Sequence, residues 1–191
     1  MVESKFSEEI GYLYLQDFVD KESCRLMTES LMNAVKNGGG INDPQCPLSP
    51  AFYEGFEVAQ MELLPELEKI TGKKLLKTYN YCRLYQPGEI LEKHTDREAC
   101  EYSITLNLGF SGAPWPFFIE TSSGEITKME MNVGDAILYK GIERPHWREK
   151  YSQGDWQAQV FFHYVDAEGA YKNYSILEKI VKEKNVFIQQ T

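Results

Sequence analysis

The chain has 191 residues, an apolar fraction of 42% and an aromatic fraction of 13%, values of a globular chain long enough for one well-cored domain. A net charge of −9 disfavours dense contacts to phosphate, so nucleic acid is not an expected partner. No apolar run approaches the roughly 18 residues of a membrane span, and MVESKFSEEIGYLYLQDFV lacks the basic and apolar regions of a signal peptide, so the expected setting is cytoplasmic, with no membrane partner.

In chain order, IGYLYLQDFV (10–19) reads as a short strand. Asp20 stands at a helix N-cap position before KESCRLMTESLMNAVKNG, where Cys24, Leu26, Met27, Leu31, Met32 and Val35 recur near the helical period. Gly38, Gly39 and Gly40 end that helix. The turn-rich segment 38–50 is either an ordinary surface connection or a lid. Residues 51–75 read as mostly helical, with Pro65 marking a break or the start of a second helix. The texture then changes. KTYNYCRLY, EYSITLNLGF, WPFFIE, EITKMEM, DAILYK and WQAQVFFHYV are short, aromatic and β-branched, and QPGE, SGAP, TSSG, NVGD and SQGD separate them as turns. Such a series indicates a β-sandwich or barrel. NYSILEKIVKEKNVFI (173–188) reads as a closing helix. The expectation is a single domain, 1–191, with a helical part over about 20–75 and a β core over about 77–165. Cys24, Cys46, Cys82 and Cys100 show no CxxC spacing and read as free thiols in a reducing compartment.

The chemistry concentrates in few residues, because the chain has only three histidines. His94 and Asp96 are two residues apart, so at a strand end they present an imidazole and a carboxylate to one point. His146, after the NVGD turn and the strand DAILYK, is the candidate third ligand. Two histidines and one carboxylate on one face of a metal leave open positions, an arrangement suited to non-haem Fe(II).

YQPGEILEKHTD and NVGDAILYKGIERPHW resemble the two metal-ligand segments of the Fe(II)/2-oxoglutarate-dependent dioxygenases, nearest to the prolyl-4-hydroxylase-like branch. IGYLYLQDFVDKESCRLM resembles the strand, turn and helix that open many members. The resemblance implies a mainly β fold with flanking α-helices. That fold is a double-stranded β-helix, or jelly roll, with the N-terminal helices packed on one sheet. It implies hydroxylation with Fe(II), 2-oxoglutarate and O2, releasing succinate and CO2. His94, Asp96 and His146 would ligate iron, Tyr85 would contact 2-oxoglutarate, and Thr105 would neighbour it on the next strand. The substrate class stays open between a small molecule, an amino acid and a peptide.

The chain departs from the family in one place. Relatives carry an Arg or Lys about ten residues after the distal histidine, to pair with the far carboxylate of 2-oxoglutarate; here that position is Trp156. A buried dicarboxylate needs a cation or several donors. The candidate substitutes are Arg83, Arg97 and Arg148, with Gln157, Gln159 and His163 as weaker donors. Arg83 is favoured, because on a strand it shares the face of Tyr85. The competing expectations are a cupin-like metal dioxygenase that does not use 2-oxoglutarate, and a non-catalytic jelly-roll binding module with a vestigial site.

Overall fold

Two antiparallel sheets face one another, and alternation along the longest strands decides what lies on each side. The computed structural model describes residues 5–175. The elements are β1 (Tyr12–Leu15), α1 (Lys21–Lys36), β2 (Phe52–Tyr53), α2 (Glu57–Thr71), β3 (Leu75–Tyr85) and β4 (Leu91–His94), followed by a 3-10 turn (Glu98–Cys100). Then come β5 (Tyr102–Phe110), β6 (Phe117–Glu120), β7 (Ile126–Met129), β8 (Ala136–Tyr139), β9 (His146–Arg148) and β10 (Gln157–Asp166). The major sheet has strand order β1-β8-β5-β10-β3-β2 and the minor sheet β4-β9-β6-β7. The result is the expected jelly roll with helices on one sheet. The helix expected over 173–188 falls outside the described residues beyond 175. Among the described residues no helix is long and apolar enough to cross a membrane.

Both faces of β5 are buried, but they differ in chemistry. Ile104, Leu106 and Leu108 join Ala158, Val160, Phe162 and Tyr164 of β10 in the main apolar core, against Met27 and Val35 of α1 and Leu63 and Leu64 of α2. The alternate residues are polar and hydrogen-bonded on the inner face, Ser103 to Asp96 beyond the end of β4 and Thr105 to Gln159 on the neighbouring strand β10. The hydrophobic effect therefore closes the outer layer, and the space inside the roll is left for chemistry.

Asp20 caps α1 as expected, accepting the Ser23 N–H at 2.9 Å. α2 runs unbroken through Pro65, which corrects the expected break. Pro65 lies on the exposed face, where water can satisfy the carbonyl that its missing N–H leaves unpaired. Residues 52–53 form a strand rather than the start of that helix. Gln60 fastens α2 to the sheet: its amide donates to the Tyr79 and His163 carbonyls at 3.1 and 3.0 Å and accepts from Asn80 at 3.1 Å.

Candidate metal and co-substrate site

His94 and His146 are Cα partners across β4 and β9, so pairing of the minor sheet alone brings their rings to a centroid separation of 4.3 Å. Asp96 follows β4, and its N–H donates to the Gly141 carbonyl at 2.8 Å, which tethers it to the segment leading into β9. The Nε2 atoms of both histidines lie 3.6 Å from Asp96 Oδ1. The three ligand atoms fall within 4.8 Å of one another.

The surroundings fix each group in a form that could bind a metal. His94 Nδ1 donates to the Glu92 carbonyl at 2.7 Å and His146 Nδ1 to the Arg144 carbonyl at 2.8 Å. A carbonyl only accepts, so the proton sits on Nδ1 and Nε2 offers its lone pair. Ser103 donates to Asp96 Oδ2 at 3.2 Å, which leaves Oδ1 to face the histidines. Burial works against the charged forms here. Even so, the two imidazoles hold the Asp96 carboxyl well below the usual carboxylate range, and Asp96 raises the His94 imidazole above its ordinary value. The donor set thus fits one divalent cation of the Fe(II) kind.

His163 lies behind this group, not in it. Its Nδ1 is 2.9 Å from Ser103 Oγ and its ring packs against Tyr79, tilted by 32°, at 4.5 Å. Burial lowers its pKa to about 4, so it is neutral, and Nδ1–H can donate to Ser103 while Ser103 donates to Asp96. His163 is thus linked through Ser103 to the Asp96 carboxylate.

A cavity of about 260 Å³ opens over the triad, walled by Tyr79, Tyr81, Tyr85, Phe117 and Phe161. Tyr81 stacks on Phe161 at 4.6 Å, so one side is a continuous aromatic surface. A larger cleft, about 590 Å³, lies between α1 and α2, but no histidine or cysteine lines it.

The remaining sequence candidates separate clearly. Arg83, the favoured substitute cation, pairs with Asp43 and donates to the Ser49 carbonyl at 2.5 Å, so its charge is already matched. Arg83 itself lines the cavity beside Asp43, Gln45 and Cys46, so it holds the 38–50 segment at the cavity wall. Arg97 lies over the Tyr79 ring at 4.4 Å and donates to its hydroxyl at 3.3 Å. Trp156 packs with the outer core, near Thr28 and Gly109. The first inward residues of β10, which begins after it, are Gln157 and Gln159. Thr105 donates to Gln159 Oε1 at 2.8 Å, and Arg148 Nη2 donates to the same oxygen at 2.8 Å. Tyr85 lines the cavity and packs edge-on against Trp115 at 5.1 Å.

Sequence reasoning missed Ser103 and Gly141. Ser103 was legible, since it shares the polar alternation of Thr105 in SITLN. Gly141 carried no signal, because its role depends on a contact across the fold.

No protein-family profile matches the chain, and no curated protein matches it in sequence. Solved structures do match. A prolyl-4-hydroxylase from Pseudomonas putida superposes with a TM-score of 0.65 at 12% identity, covering 82% of this chain and 94% of that one. HygX from Streptomyces hygroscopicus, with nickel and 2-oxoglutarate bound, gives 0.66 at 12%, covering 84% and 85%. The α-ketoglutarate-dependent epimerase SnoN from nogalamycin biosynthesis gives 0.70 at 10%, covering 84% and 80%. The chain therefore has the fold of the 2-oxoglutarate/Fe(II) oxygenases.

Proposed function

We propose that the protein is an Fe(II)- and 2-oxoglutarate-dependent oxygenase that hydroxylates a small-molecule or peptide substrate, releasing succinate and CO2. The observation that carries this reading is the convergence of His94, Asp96 and His146 at one point inside an oxygenase-type jelly roll. When bound, Fe(II) with its 2-oxo acid supplies the O2 activation that C–H hydroxylation needs. The chain's own residues do the rest. The Glu92 and Arg144 carbonyls aim the two Nε2 atoms, and Ser103 restrains the second oxygen of Asp96. The aromatic wall of Tyr79, Tyr81 and Phe161 keeps water from the reacting centre.

The cavity is compact beside typical ligand pockets of about 300–1,000 Å³. It suits a co-substrate and only the reacting end of a substrate. HygX with hygromycin B and SnoN with nogalamycin RO are small-molecule complexes on the same fold, which supports a small-molecule substrate here. Four buried, unpaired thiols fit a reducing, cytoplasmic setting. His163 hydrogen-bonds to Ser103 and groups with Asp96 and Cys100 rather than with His94 and His146, which favours the two-histidine, one-carboxylate set over a cupin-like one.

The test is anaerobic titration with Fe(II) and then 2-oxoglutarate. A visible charge-transfer band should appear, be absent in His146→Ala, and be followed by slow succinate formation on admitting O2. No band in the wild-type protein would overturn the reading.

A further inference from the structure

Arg148 is a buried cation, 1% exposed, with no ion-pair partner among the described residues. Its guanidinium lies 5.1 Å from the Trp115 ring centre and 5.3 Å from that of Phe117, and donates to the Trp115 carbonyl and to Gln159 Oε1. A buried guanidinium without a counter-anion is costly, and a fold keeps one where an anion completes it. A second group beside it is also incomplete. Gln159 Oε1 accepts from both Arg148 and Thr105, while its Nε2 is buried with no partner.

The position matches the length of a ligand. Arg148 is two residues beyond His146 on β9, and both are buried on the strand's inner face. Two residues of strand advance by roughly 6.6 Å. That is about the reach, in bond-length terms, of a five-carbon 2-oxo dicarboxylate held at its oxo end beside His146.

We propose that Arg148, with the free amide of Gln159, receives the far carboxylate of the co-substrate and makes the site selective for 2-oxo dicarboxylates. The cation that relatives place on the last core strand is thereby supplied from the strand of the distal metal ligand. This rests on the oxygenase reading above. Arg83 lines the cavity too, but its charge is taken by Asp43 and its other arm by the Ser49 carbonyl, and the Trp156 side chain belongs to the outer core.

The test compares two ligands on the anaerobic Fe(II) protein, read by the charge-transfer band and by calorimetry. One is 2-oxoglutarate; the other is 2-oxopentanoate, in which a methyl group replaces the far carboxylate. Wild type should prefer 2-oxoglutarate by on the order of 100-fold, the scale of a buried charge-assisted contact. Arg148→Gln and Arg148→Lys should lose most of that preference while 2-oxopentanoate binding changes less than about threefold, within the scatter of a surface change. Arg25→Gln, which removes an exposed charge on α1 far from the cavity, should keep the preference. Equal wild-type affinity for both ligands overturns the inference and leaves the oxygenase reading standing. So does an Arg148→Gln protein that keeps its preference, or one that loses both ligands equally. Failure of the wild type to bind either ligand overturns both. The wild-type comparison needs no variant to fold.

Discussion

At the scale of single residues, the metal site depends on a missing side chain as much as on those present. A Cβ on Gly141 would lie 2.3 Å from Asp96 Oδ2, 2.5 Å from the Cys100 carbonyl and 2.8 Å from Ser103 Oγ. Two of those atoms hold or form the carboxylate ligand, so Gly141→Ala must push Asp96 out of place. Metal affinity should fall by about 10–100-fold, as for other losses of outer support. Competition between Fe(II) and a chelator measures it; unchanged affinity would show that Asp96 has room to yield. His163 makes a second prediction. Burial, opposed by Asp96 and reinforced by Arg97 and His146, lowers its folded pKa to about 4, beneath the ordinary value near 6.5. The unfolded chain therefore takes up a proton first. This stabilisation is complete above pH 6.5 and is lost as pH falls towards 4, by at most about 3 kcal/mol. In metal-free protein, His163→Phe keeps a ring against Tyr79 and removes the titration. Urea melts of the variant should show a shallower loss of stability between pH 6.5 and 4 than those of the wild type. Equal slopes would place the acid sensitivity elsewhere.

At the scale of elements, legibility in the sequence followed length and alternation. β3, β5 and β10 have 11, 9 and 10 residues and were readable, because their pattern persists over many turns of the pleat. β9 has three residues, HWR, and no periodicity, so the strand that carries a metal ligand and Arg148 was invisible as a strand. The triad was nevertheless legible through residue type and spacing. The choice among the arginines was not: Arg83 and Arg148 are alike in sequence, and only the structure shows that Arg83 is paired with Asp43, from a loop 40 residues earlier, while Arg148 has no such partner among the described residues. That loop yields a prediction. Arg83 grips Asp43 and Ser49, and Glu89 accepts the Leu48 N–H at 2.7 Å. Arg83→Gln removes the charge pair and leaves the exposed Gly38–Ile41 stretch less restrained. Limited proteolysis should cut within 38–50 several-fold faster than in the wild type, in line with a smaller cost of local opening. Unaltered cleavage would mean that Ser49 and Glu89 hold the segment alone.

At the scale of the whole molecule, one sheet has two different jobs on its two faces, and adjacent residues of β5 can tell them apart. Leu106 is fully buried in the core against the helices, whereas Thr105 is fully buried on the inner face, bonded to Gln159. Leu106→Ala removes packed apolar volume and should cost about 2–5 kcal/mol of stability. Its effect on co-substrate binding in the folded protein should be small, since Leu106 faces away from the cavity. Thr105→Ala removes one hydroxyl and should cost only about 1–2 kcal/mol. It also frees Gln159 Oε1 of one of its two donors, so the amide can rotate away from Arg148. Affinity for 2-oxoglutarate should then fall by roughly tenfold, the equivalent of one hydrogen bond. Urea denaturation and anaerobic 2-oxoglutarate titration on the same two proteins give a crossed result if the faces are independent. If Leu106→Ala weakened binding as much as Thr105→Ala at equal folded fraction, the outer core and the cavity would form one mechanical unit. The polar interior would then owe its shape to the helices outside it.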